Sequence, residues 1–259
     1  MTKFSLASRQ RPTWYASELR RDMEIDDTTA INLQNAMEFL KISFKEATLS
    51  SRVLGACKVV GLKKMIVVSE KMQDPNQKRF TISHEIGHVI AHNGSHKCQI
   101  DDFKMWLGKK DIERAANQFA AELLLPESAV LAKLRLQDVS LDLAKELSQH
   151  YGISLLSSTL RLIELCDENT ALFYQKGDSI SWSFLSPDCK LTPKTGKVDI
   201  DSLSYHATEA RSHLQDYVNP ILWFEGDEDK LGNKFRCHEQ TWYFRHLNIK
   251  LSVVRLEEQ

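Results

Sequence analysis

The stretch that most constrains this chain is KRFTISHEIGHVIAH, residues 78–92. Phe80, Ile82, Ile86, Val89 and Ile90 recur at helical spacing rather than alternating, which predicts a helix. Inside it stands His84-Glu85-Ile86-Gly87-His88, an HExxH pattern. Residues four apart share one face of a helix, so His84 and His88 can aim both imidazoles at one ion. Glu85 sits about 100° further round, within reach of a water beside that ion. Two neutral imidazoles plus a carboxylate suit zinc with an open fourth position. Bound zinc lowers the pKa of water toward about 7, and the glutamate takes its proton. Gly87 costs the helix about 1 kcal/mol relative to alanine. The expected reason is another backbone passing close to the metal.

A carboxylate ligand is expected downstream, on the helix DIERAANQFAAELLL over 111–125, N-capped by Asp111 and stopped by Pro126. Glu113 and Glu122 compete, nine residues apart and on opposite faces. Glu113 shares its face with Asn117, Ala120, Ala121 and Leu124, which lets another helix approach. Glu122 shares its face with Arg114 or Gln118, which suits solvent. Glu113 is therefore the expected ligand, and Asn117 is placed to steady a ligand by hydrogen bonding. His92 is the rival, but its side chain lies about 6 Å further along the axis than that of His88. Cys98 lies in a polar loop between the two ligand helices, ten residues after His88. Folded back by the Asn93-Gly94 turn, it would bind zinc as a thiolate in the fourth position and exclude the catalytic water. The group completing an oxyanion site is open among His92, His96, His150 and Tyr151.

Phe80–His88 together with Glu113–Pro126 resembles the ImmA/IrrE family of metallopeptidases, over about residues 50–165. The order HExxH then ExxxN also resembles the gluzincin clan, whose third ligand is a downstream glutamate. The resemblance implies an intracellular protease of narrow diet. Such proteins cleave helix-turn-helix repressors and so switch on mobile-element, DNA-damage or antiphage-defence genes. It also implies a C-terminal GAF-like sensor domain.

The expected fold is α+β in three parts: a zincin-like domain over 1–126, a helical helix-turn-helix-like segment over 127–166, and a mixed α/β domain over 167–259. Helices are expected over 13–24 and 27–46, the second capped by Asp26 or Asp27. Val59-Val60 and Met65–Val68 flank Gly61–Lys64 as a hairpin, whose edge could pair with an extended substrate backbone. Residues 141–166 have helix-turn-helix spacing around Gly152. The second helix offers only Arg161 against Glu164, which suits a structural or repressor-docking bundle better than DNA reading. Beyond Asn169, the runs ALFYQ, SISWSFL, YVNPILWF, TWYFRH and LSVVRLE look like strands, and 201–216 like a helix.

The 259 residues, 42% hydrophobic and 27% charged, describe a globular protein able to bury a core. A net charge of −1 gives no global pull toward nucleic acid or membrane. No apolar run nears the roughly 20 residues of a bilayer span, and the N-terminus lacks a signal-peptide core. Five widely spaced cysteines form no disulfide framework, so a reducing cytoplasm is the expected setting. Lys234, Arg236 and Arg245 with Trp242 interleaved could hold single-stranded DNA as an activating signal. Against this stand 11 basic and 15 acidic residues between 167 and 259. The rival function is a non-catalytic zinc-containing regulator that binds DNA or a repressor. Glu85 speaks against it, because a structural metal site needs no base.

Overall fold

The computed structural model describes residues 12–91, 95–99 and 111–259. They form two compact units. The first runs to Ala129 and takes back Gln149–Ser154; the second comprises Val130–Ser148 and Leu155–Gln259.

In the first unit, α1 (Pro12–Asp22) and α2 (Leu33–Phe39) precede the strands β1 (Ile42–Ala47), β2 (Val53–Val60) and β3 (Lys63–Ser69). The helix expected over 27–46 is thus much shorter. Asn32, rather than Asp26 or Asp27, caps it by accepting from the Gln34 and Asn35 N–H groups; Asp26 accepts from Thr28 N instead. Lys41 takes a left-handed φ of 56° and breaks the helix. The chain then enters β1, parallel to β3 with Ile42 opposite Lys64. The expected hairpin is present as β2 and β3, turned at Gly61 with φ 58°.

The HExxH stretch lies on α3 (Pro75–Ala91), followed by β4 (Ser95–Gln99) and α4 (Asp111–Leu124). The stretch around Cys98, expected as loop, is a strand. It pairs antiparallel with β2, so the sheet order is β1-β3-β2-β4. Ile66 and Val68 of β3, Ile86 and Val89 of α3, and Phe119, Ala120 and Leu123 of α4 are buried. They form the core against which the HExxH stretch packs.

The next three helices are α5 (Glu127–Leu134), α6 (Leu141–Tyr151) and α7 (Leu155–Leu165). The last two are the expected helix pair, turned at Gly152 with φ 64°. Arg161 is buried and pairs with Glu164 at 2.8 Å. It is therefore not presented to a DNA groove. The Gly152 turn belongs to the first unit. Arg79 of α3 donates to the carbonyls of Gly152, Tyr151 and Ile31 at 3.0, 3.3 and 3.1 Å.

The second unit is built on one antiparallel sheet of order β7-β6-β5-β10-β9-β8. Its strands are β5 (Asn169–Lys176), β6 (Ser179–Leu185), β7 (Gly196–Lys197), β8 (His213–Val218), β9 (Phe235–Phe244) and β10 (Ile249–Glu258). The helix expected over 201–216 shrinks to α8 (Leu203–His206), and the rest becomes β8. A further helix, α9 (Glu228–Lys234), leads into β9. The run YVNPILWF is not one strand, because Pro220 opens a 3-10 turn over Pro220–Leu222. Trp223 and Phe224 instead pack with Phe173, Val254 and Leu256 as the core of this unit. Glu239, fully buried, accepts from Ser204 N, Leu203 N and Trp223 Nε1, fastening α8 to β9.

Candidate metal centre

α3 and α4 pack face to face and bring three side chains to one point. His84 Nε2 and His88 Nε2 are 3.0 Å apart, and Glu113 Oε2 lies 3.1 and 3.2 Å from them. All three residues are buried. Asn117 Oδ1 sits 2.8 Å from His84 Nδ1. An amide oxygen only accepts, so Nδ1 carries the proton and Nε2 presents a lone pair. That lone pair faces a second imidazole nitrogen and a carboxylate oxygen. Such a convergence of electron pairs, shut away from water, calls for a cation. A tetrahedral ion with ligands at about 2.0–2.1 Å would hold them about 3.3 Å apart, close to the separations seen. The residues present fit a zinc ion.

Cys98 of β4 joins the cluster. Its sulfur and the ligand atoms of His84, His88 and Glu113 all lie within 4.8 Å of one another. Strand pairing, and not a folded-back loop, carries it there, since Cys98 stands opposite Gly55 of β2. Burial pushes its thiol far above the usual range, and the charge of Glu85 adds to this.

Glu85 is fully buried, and neither of its oxygens accepts a hydrogen bond from a nitrogen or oxygen. Burial lifts its carboxyl to about 7, although the Cys98 and Cys57 thiols and the charge of His88 pull the other way. Burial would lift Glu113 too. Without a metal, histidine rings that turn an N–H toward Glu113 hold it well below the usual carboxylate range; a bound cation would take the place of those protons.

Glu122 does not face solvent. It is buried and accepts from Ser17 Oγ and from Glu127 N, both at 3.3 Å, at the start of α5. The reason for Gly87 also differs from expectation. A Cβ there would stand 3.0 Å from the Phe119 ring, so a side chain of the facing helix needs the space, not a backbone. His150 and Tyr151 are engaged elsewhere, with the carbonyls of Thr28 and Asp27. His92 and the His96 side chain lie outside the described residues.

The four residues considered for single-stranded DNA are not gathered into one surface. Trp242 is buried against His213 and beneath Lys145, so its ring is not presented to a base. Lys234 pairs with Glu258, Arg245 with Glu209, and Arg236 lies over the Tyr217 ring. Each charge is thus engaged by its own partner, and Lys234 and Arg245 lie outside β9.

Sequence reasoning passed over Gly55, Cys57 and Thr81, which surround the Glu85 carboxylate. The available signal was Gly55 itself, since a glycine inside a strand often marks a close approach.

An HExxH helix whose histidines meet a glutamate of the following helix, under a small mixed sheet, defines a domain of the metallopeptidase class. Residues 36–162 match the peptidase family described as the IrrE N-terminal-like domain. Residues 36–162 carry a domain of that family. Among solved structures, a Mycobacterium tuberculosis transcriptional regulator is similar in fold, with a TM-score of 0.54 at 14% identity. The match covers 95% of this chain and 87% of that one. No curated protein matches the chain in sequence. Among the described residues, no helix is long and apolar enough to cross a membrane.

Proposed function

We propose that this chain is a zinc-dependent endopeptidase that cleaves a helix-turn-helix transcriptional repressor in the cytoplasm and so derepresses the genes it controls. The observation that carries the reading is the placement of Glu85. A buried carboxylate without a hydrogen-bonding nitrogen or oxygen is costly, and it stands beside the His84–His88–Glu113 cluster. A purely structural metal site would not need it, which disfavours the non-catalytic regulator.

Zinc, when bound, supplies the Lewis acid that polarises a carbonyl and acidifies a water. His84, His88 and Glu113 hold it, and Asn117 fixes the His84 tautomer. Glu85 accepts the proton of the attacking water on its carboxylate and delivers it to the leaving amine nitrogen. Cys98 would add a thiolate donor to the same cation at rest and keep water from it until the strand or the thiol is released. The repressor as substrate is supported by the family, and by the regulatory description of the similar Mycobacterium tuberculosis protein. The second unit is read as a GAF-like sensor, supported by its single six-stranded antiparallel sheet; fold alone names no ligand. Single-stranded DNA is not carried into this reading, because Trp242 is covered.

The test is incubation of the zinc-loaded full chain with helix-turn-helix repressors of its source organism, beginning with any encoded beside it. Specific cleavage is expected, abolished by a chelator and by Glu85→Gln, with about one zinc per chain retained in the variant. An intact repressor alongside full zinc occupancy, in wild type and Cys98→Ala alike, overturns the proposal.

A further inference from the structure

Gly55 lies within β2, between the hydrogen-bonded partners Val68 and Cys98. It is not among the glycines of left-handed φ, so no turn requires it. A glycine inside a strand weakens it, through lost chain entropy and lost packing. Something else must require the missing side chain. A Cβ at this position would stand 2.6 Å from Glu85 Oε1, 3.1 Å from Glu85 Cγ and 2.8 Å from Thr81 Cγ2. Both neighbours are fully buried, so neither can swing into solvent. No nitrogen or oxygen anchors the Glu85 carboxylate. Beyond the Cys98 and Cys57 thiols, its place is set by packing.

We infer that Gly55 is a positioning residue for Glu85: the bare backbone of β2 forms the shelf on which the carboxylate rests beside the metal ligands. Any side chain at 55 drives the carboxylate off that shelf or lifts α3 from the sheet. The inference rests on Glu85 being the catalytic base, but the shelf can be tested without catalysis.

The experiment is a double-mutant cycle on the full chain: wild type, Gly55→Ala, Glu85→Asp, and the two combined. It is read by thermal melting of chelated protein and by repressor cleavage with zinc. An alanine that merely relieved strand glycine would leave melting unchanged or raise it. The shelf predicts that Gly55→Ala clearly lowers the melting temperature when Glu85 is present. The loss should be much smaller in the Glu85→Asp background, where the shorter side chain leaves room for the methyl. Cleavage should fall about 100-fold or more in Gly55→Ala. The coupling itself is read in melting, because aspartate sets its carboxylate a methylene short of the shelf and does not restore cleavage. Because Thr81 also meets the added methyl, the cycle is repeated on Thr81→Ser, and the same coupling is expected. If Gly55→Ala does not fold while the combined variant does, that is the coupling in its strongest form. Additive melting shifts, loss of coupling on Thr81→Ser, or failure of both Gly55→Ala proteins to fold overturn the inference. Absence of cleavage in wild type would instead count against the proposed function, and the melting cycle would still decide the shelf.

Discussion

Glu85 is where the chemistry and the stability of the chain oppose each other. Its carboxyl is raised from 4.5 to about 7, chiefly by burial. A raised carboxyl means that the folded state binds the proton more tightly than the unfolded state. Stability therefore falls as pH rises through the window from about 4.5 to 7, and the penalty is complete above it. The shift corresponds to about 3 kcal/mol. Metal-free Glu85→Gln should thus match wild type near pH 4.5 and exceed it progressively toward neutrality, as read by urea unfolding at several pH values. A gap that stays constant across the window would show that burial does not raise this group. Glu113 and Glu122 separate ligation from capping. Glu113→Ala should lose zinc affinity by about 10-fold or more. Glu122→Ala should keep the affinity but lose about 1–3 kcal/mol, because Glu127 N loses its acceptor. A metal titration paired with unfolding reads both. Cys98→Ala should raise basal cleavage, if the thiol holds the fourth position at rest. Unchanged basal cleavage would remove Cys98 from regulation.

Among the elements, α3 and α4 are held together at the crossing of Gly87 and Phe119. Gly87→Ala should cost about 1–3 kcal/mol by overpacking and loosen metal binding, because the crossing sets the distance between His88 and Glu113. Phe119→Leu should restore part of both; a titration in which Gly87→Ala binds metal normally would rule the crossing out. These two helices were legible in the sequence because their apolar residues keep a 3.6 period and their ends carry Asp111 and Pro126. The β2–β3 hairpin was legible from its β-branched runs and Gly61. β1 was not: its six residues follow a helix closely, and only Leu40 and the left-handed Lys41 separate them. β4 was not, because SHKCQ holds no β-branched or aromatic residue. Its strand character comes from pairing with β2, a tertiary effect that local propensity does not contain. The same limit hid the burial of Glu122. Helix faces predict which side chains point together, but not which of two opposite faces is also covered. Here α1 reaches over the second face with Ser17.

At the scale of the molecule, the candidate metal site and the large sheet belong to different units, and the chain passes between them within α5, within α6 and again between Ser154 and Leu155. Among the described residues, the candidate ligands of the centre come from α3 and α4, with Cys98 from β4, all in the first unit. A ligand stabilises what binds it, by RT ln(1 + [L]/Kd), and it protects those amides whose opening breaks the site. Removing zinc should therefore raise hydrogen exchange in β2, α3 and α4. The turn at residues 149–154 should follow, because Arg79 of α3 holds the carbonyls of Tyr151 and Gly152. The amides of β5, β9 and β10 should keep their protection, since their bonds and the buried Glu239–Trp223 contact do not involve the site. Arg79→Met should reproduce the effect on the turn with zinc still bound, by leaving three carbonyls without their donor. Equal loss of protection in both units on zinc removal would show that they open as one cooperative body. The metal would then stabilise the whole chain rather than the unit that holds it.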